Sequence, residues 1–299
     1  IEDVGVMLDL LSTTTPYGVS NIFDDQGHLV LGNKNALKAG YKGIKEAAQK
    51  KLEELEEGDE RKFLEGVIIC CDAAKAFGER FADLAEEKAL EEEDETRRKE
   101  LEKIAENCRW VPYNPPRNFY EAIQLLWFSQ AISYISHGAG AIFAMGRVDQ
   151  YLYPYYKKDI KEGKITDQEV QSLLEELLVK SSYNLLPLFF LGKETASELG
   201  ADEEVITIGG VNQEGKDATN ELSYMFLDVV KKLNGLCPNL MMRVHDKTPE
   251  DLLMKAADVY SVTNDLKGFF NDEDIIPSLV DTGYTLEDAR DYALIGCVE

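Results

Sequence analysis

The run Val205-Ile206-Thr207-Ile208, stopped by Gly209-Gly210, constrains the fold more than any other stretch of the chain. Every residue in it is β-branched, and a short run of that kind closed by glycines reads as a buried strand. A helix from about Ala218 to Leu233 follows, and Pro238 to His245 reads as a second strand. Alternation along that strand puts Met241, Arg243 and His245 on one side. They either enter an interior site or satisfy neighbouring carboxylates and backbone within a buried strand. Thr248-Pro249-Glu250-Asp251 starts another helix, with a capping hydroxyl, proline at the first position and acids in the first turn. Lys267 to Asp272 reads as a loop, and Thr285-Leu286-Glu287-Asp288 opens a short helix that feeds Ala293 to Cys297. This alternation argues for an α/β fold, with helices packed outside a largely parallel sheet or barrel.

The first half is mainly helical. The stretch through Leu31 is loop-like, with turn-forming residues from Asp24 to His28. Helical patterns then run from Leu37 to Leu55 and from about Arg61 to Leu90, and the charge-dense stretch Glu91 to Glu100 reads as a solvated helix or helix connection. Asn114-Pro115-Pro116 breaks the chain. Phe119 to Ser136 is apolar nearly all round, which predicts a buried helix. Gly138, Gly140 and Gly146 surround Ala141 to Met145, a loop or short strand, and Thr166-Asp167-Gln168-Glu169 is a capping box opening a helix to about Tyr183. No internal repeat, low-complexity segment or clean linker interrupts the 299 residues, so one continuous structural unit is expected.

Charge narrows the partners. Lys and Arg total 32 against 56 Asp and Glu, a net charge of −24. A surface of that sign repels phosphate backbones and anionic lipid, which argues against nucleic-acid or membrane binding and for a small-molecule enzyme. The cysteines, Cys70, Cys71, Cys108, Cys237 and Cys297, are odd in number and lack metal-site spacing, so a reducing cytoplasm is expected. No apolar run approaches the roughly 18 to 20 residues that span a bilayer. Cys70-Cys71 sits in an amphipathic helical pattern and reads as core packing.

The chemistry concentrates in Ala293-Leu294-Ile295-Gly296-Cys297-Val298-Glu299. In extended backbone the Cys297 thiol and Glu299 carboxylate point to the same side. A carboxylate is a poor base for making a thiolate, since its pKa lies several units below that of the thiol. His28, His137 and His245 stand in no recognisable thiol-protease context. The pair instead suits a thiol working by hydrogen-atom chemistry while the carboxylate handles a proton. Such a pair without a cap or tail after it reads as part of a larger protein.

Gly296-Cys297-Val298-Glu299, preceded by Glu287 to Tyr292, closely resembles the thiyl loop of glycyl radical enzymes, the pyruvate formate-lyase-like superfamily. Pro115 to Ala122, Gly146-Arg147 to Tyr156, Ile208 to Val211 with Gly215 to Leu222, and Arg243-Val244-His245 agree with it in order. The match is specific from Pro115 to Glu299 and weaker from His28 to about Leu90. The resemblance implies a ten-stranded α/β barrel built from two half-barrels, with residues 1–113 mainly helical and 114–299 forming the first half-barrel. It implies that Cys297 becomes a thiyl radical that takes a hydrogen atom from substrate, and that Glu299 takes a proton as a leaving group departs, a role helped by burial raising its pKa. The family's glycine motif, Arg-Val-x-Gly-Tyr, is absent from this sequence, so the glycyl radical is expected outside this chain and the chain alone is expected to be inactive. The radical would be installed by a separate S-adenosylmethionine-dependent iron-sulfur activase, with no metal in this chain and a homodimer or higher homo-oligomer as the assembly.

A single thiol followed by a carboxylate fits the dehydratase and C–X lyase branch, whereas pyruvate formate-lyase resembles Cys-Cys at this loop. Decarboxylases and fumarate-adding synthases share the pattern, and an inactive paralogue or scaffold is the alternative of another class. Diol dehydratases of the family tend to place a polar His-Ser pair shortly before Gly-Arg, where this chain has Ala141 to Met145. His137 is the nearby candidate to replace that pair in substrate binding, and His28, after Gly27, resembles a Gly-His segment that reaches the substrate pocket. Both have structural readings beside these, His137 at a helix end and His28 in an exposed turn.

Overall fold

A computed structural model describes residues 28–137, 143–182, 204–234 and 238–296. The chain divides into two compact units interleaved along the sequence, one taking Gly32–Ile132 and Pro154–Ile165, the other the remaining described residues.

The first unit is helical. It holds α1 (Asn33–Leu52), α2 (Asp59–Glu91), α3 (Glu95–Trp110), most of α4 (Phe119–His137) and the later turns of α5 (Val148–Lys161). The face that α2 buries carries Cys71, Ala74, Gly78, Ala82, Ala85 and Ala89, small side chains at helical spacing that let neighbours approach closely. Of the Cys70-Cys71 pair only Cys71 enters this core, and burial pushes its thiol pKa up, while Cys70 is exposed. The charge-dense stretch resolves into the end of α2 and the start of α3, where the Asp94 carboxylate caps by accepting from the Arg97 N–H at 2.7 Å. The nearly all-apolar α4 is buried as its composition requires, with Phe119, Ala122, Leu125, Leu126 and Phe128 at 2% exposure or less.

The second unit carries parallel sheets. β1 (Leu29–Val30) pairs with β2 (Phe143–Ala144), so the segment ending at Leu31, expected as loop, includes a short strand. A four-stranded sheet has the order β3 (Gly146–Arg147), β4 (Val205–Gly209), β5 (Asn239–Val244), β6 (Leu266–Asn271), each neighbour parallel. α6 (Asp167–Ser182) precedes β4, and α7 (Glu221–Leu233), α8 (Glu250–Tyr260) and α9 (Asp272–Asp281) follow β4, β5 and β6 in turn. A last short helix, α10 (Leu286–Arg290), leads towards the carboxyl end. Every residue of β4 is buried, as in a parallel strand covered on both faces.

Several starts follow local capping chemistry. Thr166 and Glu169 exchange the hydrogen bonds of the expected capping box, with the Glu169 carboxylate accepting from the Thr166 N–H at 2.8 Å. Thr285 caps α10 by accepting from the Asp288 N–H. The expectation at Thr248 differs: its hydroxyl accepts from the His245 N–H at 2.8 Å, Pro249 occupies the cap position, and α8 begins at Glu250. The segment Lys267 to Asp272, expected as a loop, is strand β6 followed by the first residue of α9. Its sequence hides the strand because Gly268 interrupts the side-chain pattern, and its pairing with β5 shifts register between Leu240 and Met241.

α1 bends at Gly40, whose φ is +64°. A Cβ there would stand 2.5 Å from the Asn114 carbonyl carbon. Gly40→Ala therefore meets both an unfavourable backbone region and a backbone collision. The expected outcome is a destabilisation well beyond about 1 kcal/mol, read as a lower midpoint in chemical denaturation followed by circular dichroism.

Candidate functional site at the strand ends

The segment that leads into Cys297 runs along one face of the four-stranded sheet. Alternation gives Val205 and Thr207 of β4 that face, together with Met241 and Arg243 of β5. Ala144, Val205, Met241 and Leu294 form a buried apolar cluster there, with Phe270, Tyr292 and Ile295 packed against it.

Two guanidinium groups dominate the polar part. Arg147, last residue of β3, and Arg243 of β5 are each at 1% exposure or less. Arg147 Nη2 donates to the carbonyls of Gly209 (3.0 Å) and Val211 (2.8 Å), while Nη1 donates to the Arg290 carbonyl (3.3 Å) and to Asp291 Oδ1 (3.1 Å). Arg243 grips Asp272 with two donors, Nε to Oδ1 at 2.8 Å and Nη2 to Oδ2 at 2.9 Å. Its Nη1 donates to the Tyr292 carbonyl at 2.8 Å, and Nη2 also donates to the Arg290 carbonyl at 2.9 Å. One carbonyl oxygen, that of Arg290, thus accepts from both buried cations.

Tyr292 closes the arrangement. Its ring lies 3.9 Å from the Arg243 guanidinium carbon, and its hydroxyl donates to Asp272 Oδ1 at 2.8 Å. Burial pushes the Tyr292 pKa up, so the phenol stays protonated and able to donate. Burial, then the nearby Arg243 charge, pulls the Arg147 pKa down, opposed by Asp149 and Asp291. Arginine starts so high that it remains a cation there. Asp149 is fully buried, and burial pushes its pKa up against hydrogen bonds that its Oδ2 accepts from the Gly209 N–H (2.8 Å) and the Ser223 hydroxyl (2.6 Å). Further along, the Leu294 N–H donates to Thr207 Oγ1 at 3.0 Å.

Gly209 and Gly210 form the expected strand-end turn, both at positive φ. The second glycine has a specific reason: a Cβ on Gly210 would stand 2.5 Å from Arg243 Nε and 2.8 Å from its Cζ. The guanidinium lies where a side chain would be.

Of the residues singled out in the sequence, Cys297 and Glu299 lie outside the described residues, the last of which is Gly296, a turn residue at φ +68°. His137 closes α4, and its side chain is outside the described set. His28 is exposed, at φ +63°, beside β1. Arg243 takes the buried-strand option, paired with a carboxylate and backbone. His245, just past β5, contacts Asp217 Oδ1 through Nε2 at 3.0 Å, and its Nδ1 accepts from the Lys247 N–H. Asp272, Tyr292, Thr207 and Asp149 were not singled out. The sequence offers one signal, the Gly146-Arg147 pair; the contact of Gly210 with Arg243 is visible only in the folded chain. Among the described residues no group of three or more His, Cys, Asp or Glu is placed to hold a metal ion, and no helix is long and apolar enough to cross a membrane.

Comparison with known proteins bears on the same chain. The profile of the family described as pyruvate formate lyase-like matches residues 14–299. An isethionate sulfite-lyase from Oleidesulfovibrio alaskensis is 40% identical over 273 residues, 89% of this chain and 33% of that protein. A (2S)-3-sulfopropanediol dehydratase from Klebsiella oxytoca is 35% identical over 281 residues, 91% of this chain and 34% of that protein. The glycerol-bound B12-independent glycerol dehydratase from Clostridium butyricum superposes with a TM-score of 0.79 at 37% identity, covering 91% of this chain and 35% of that one. The chain spans about a third of the length of these relatives.

The ion pair at the strand ends has a direct test. Asp272→Asn removes the charge opposing Arg243 and keeps the shape, leaving a buried cation without its counter-charge. The expected loss is about 3 to 5 kcal/mol of unfolding free energy, measured by urea denaturation against the parent.

Proposed function

The chain belongs to the pyruvate formate lyase-like family, and from that premise we propose that it is the thiol-bearing part of a glycyl radical enzyme of the dehydratase and C–X lyase type. The observation that carries this is the Gly296-Cys297-Val298-Glu299 sequence at the end of a segment held against the sheet by Arg147, Thr207 and Arg243. Relatives named as a sulfite-lyase and a dehydratase support the reaction type.

In this reading a glycine-centred radical, carried outside residues 1–299, takes the hydrogen atom from the Cys297 thiol. The thiyl radical takes a hydrogen atom from a substrate carbon that bears a hydroxyl. Glu299 removes the hydroxyl proton, and the resulting radical anion expels the leaving group on the neighbouring carbon with its bonding electron pair. The product radical recovers the hydrogen atom from Cys297, and the thiyl passes the vacancy back to glycine. No electron is gained or lost over the cycle, and the released proton ends on the leaving group or solvent.

An S-adenosylmethionine-dependent iron-sulfur activase as radical source, a small organic substrate, a homo-oligomeric assembly and a cytoplasmic location belong to the same proposal. His28 and His137 enter it as candidate substrate-binding residues. The odd cysteine count without metal spacing and the net charge of −24 support a reducing compartment and a small-molecule substrate.

The experiment takes the protein in which this sequence is joined to a glycine-radical region, activates it without oxygen, and offers isethionate, (2S)-3-sulfopropanediol and glycerol in turn. A glycine-centred electron paramagnetic resonance signal and an elimination product from one of them are expected. Cys297→Ala is expected to keep the signal and abolish turnover. Glu299→Gln is expected to keep it and slow elimination by about 100-fold or more, the scale of a lost general base. Turnover surviving in Cys297→Ala rejects the thiyl role, and carbon dioxide release without elimination moves the protein to the decarboxylase alternative.

A further inference from the structure

We infer that Arg147, Thr207 and Arg243 are positioning residues for the Cys297 thiol, one side chain from each of three adjacent strands holding successive points on the backbone that delivers it. The inference rests on the reading of Cys297 as the hydrogen-atom carrier and adds what places that atom.

The three strands are in fixed register. Arg147 of β3 stands opposite Thr207 of β4, and Gly209 of β4 stands opposite Arg243 of β5. From that base the side chains reach the Arg290 carbonyl, the Asp291 carboxylate, the Tyr292 carbonyl and the Leu294 N–H, in chain order. The receiving segment forms no strand of its own between Asp291 and Gly296, so hydrogen bonds from side chains stand where a ladder would otherwise set its register.

Packing alone does not fix that register. Leu294 is buried in the apolar cluster with Ala144, Val205 and Met241, but apolar contact is non-directional and tolerates sliding. The Thr207 hydroxyl and the two guanidinium forks are directional, and they accept one alignment only. Along the chain, Thr207 holds the point nearest Cys297, with Ile295 and Gly296 between Leu294 and that residue. Hydrogen-atom transfer needs its two heavy atoms within about 3 to 3.5 Å, and a misplacement of about 1 Å costs roughly 100-fold in rate. A small slip of the segment therefore reaches the chemistry without unfolding the sheet.

Thr207→Val keeps the side-chain shape and removes the acceptor, leaving a buried N–H that the backbone shifts to relieve. The readout is independent of substrate. A thiol exchanges its hydrogen with solvent, so reversible transfer between glycine and Cys297 carries deuterium from heavy water into the glycine, and the doublet splitting of its resonance signal collapses. In the activated whole protein, Thr207→Val is expected to give parent-like radical yield and a melting temperature lowered by only about a few degrees, the scale of one unpaired N–H, with deuterium exchange slowed about tenfold or more, part of the roughly 100-fold attached to an ångström. Thr207→Ser, which keeps the hydroxyl, is expected to restore most of the rate, and Arg243→Lys, which cannot reproduce the fork, to slow exchange further.

Exchange at the parent rate in Thr207→Val overturns the positioning role. So does slowing that only follows lost radical yield or a larger fall in melting temperature, with Thr207→Ser equally impaired. If Arg243→Lys fails to fold, the Thr207 pair decides alone. Cys297→Ala separates the two levels: exchange that persists there, or a parent that never exchanges, removes the thiyl reading itself.

Discussion

Two cations buried side by side set the terms for this half of the molecule. Arg147 and Arg243 are both buried, and the Arg243 charge adds to burial in pulling the Arg147 pKa down, so the pair must be met by carboxylates and carbonyls with good geometry. Parallel strands provide that geometry at their carboxyl ends. The Gly209 carbonyl and the Val211 carbonyl just beyond it point at Arg147, and Asp272, at the start of α9 directly after β6, meets the Arg243 fork. What the sheet leaves unfilled is taken by the Arg290 and Tyr292 carbonyls and the Asp291 carboxylate. The segment before Cys297 is thus part of that compensation: without it Arg147 would lose the Asp291 carboxylate and the Arg290 carbonyl, and Arg243 the Arg290 and Tyr292 carbonyls.

This arrangement explains residues that look unrelated in sequence. Gly210 is required because Arg243 occupies the volume of its absent side chain. Arginine is required at both positions because only a planar fork reaches several acceptors at once, as Arg243 does with Asp272, Arg290 and Tyr292. Tyr292 serves the same cation twice, through its ring and through the carboxylate it shares with Arg243.

The fold was legible wherever its cause is local. β4 and β5 announce themselves by β-branching and alternation, α4 by apolarity all round, and the starts of α6 and α10 by capping hydroxyls. β6 was not legible, because a strand reading Leu-Lys-Gly-Phe-Phe-Asn, at the edge of the sheet among the described residues, has little alternation in sequence and a glycine in its interior. That one misreading hid the site as well: with Lys267 to Asp272 taken as loop, Asp272 had no fixed place from which to pair with Arg243, a partner far away along the chain. Thr207 was hidden for another reason. In a run of β-branched residues a threonine passes for one more strand former, and only the backbone lying across it reveals the hydroxyl as an acceptor. The reading of Cys297 and Glu299 rests on residue identity and spacing alone, and both residues lie outside the described residues.

The same network limits what these residues do chemically. Each nitrogen at the fork ends of the two arginines already donates to the protein, and the hydroxyl of Thr207 faces a peptide N–H. Groups committed in this way hold the backbone from Arg290 to Leu294 in place, while Arg147 Nε, buried without a hydrogen-bond partner, is a donor that the network leaves open.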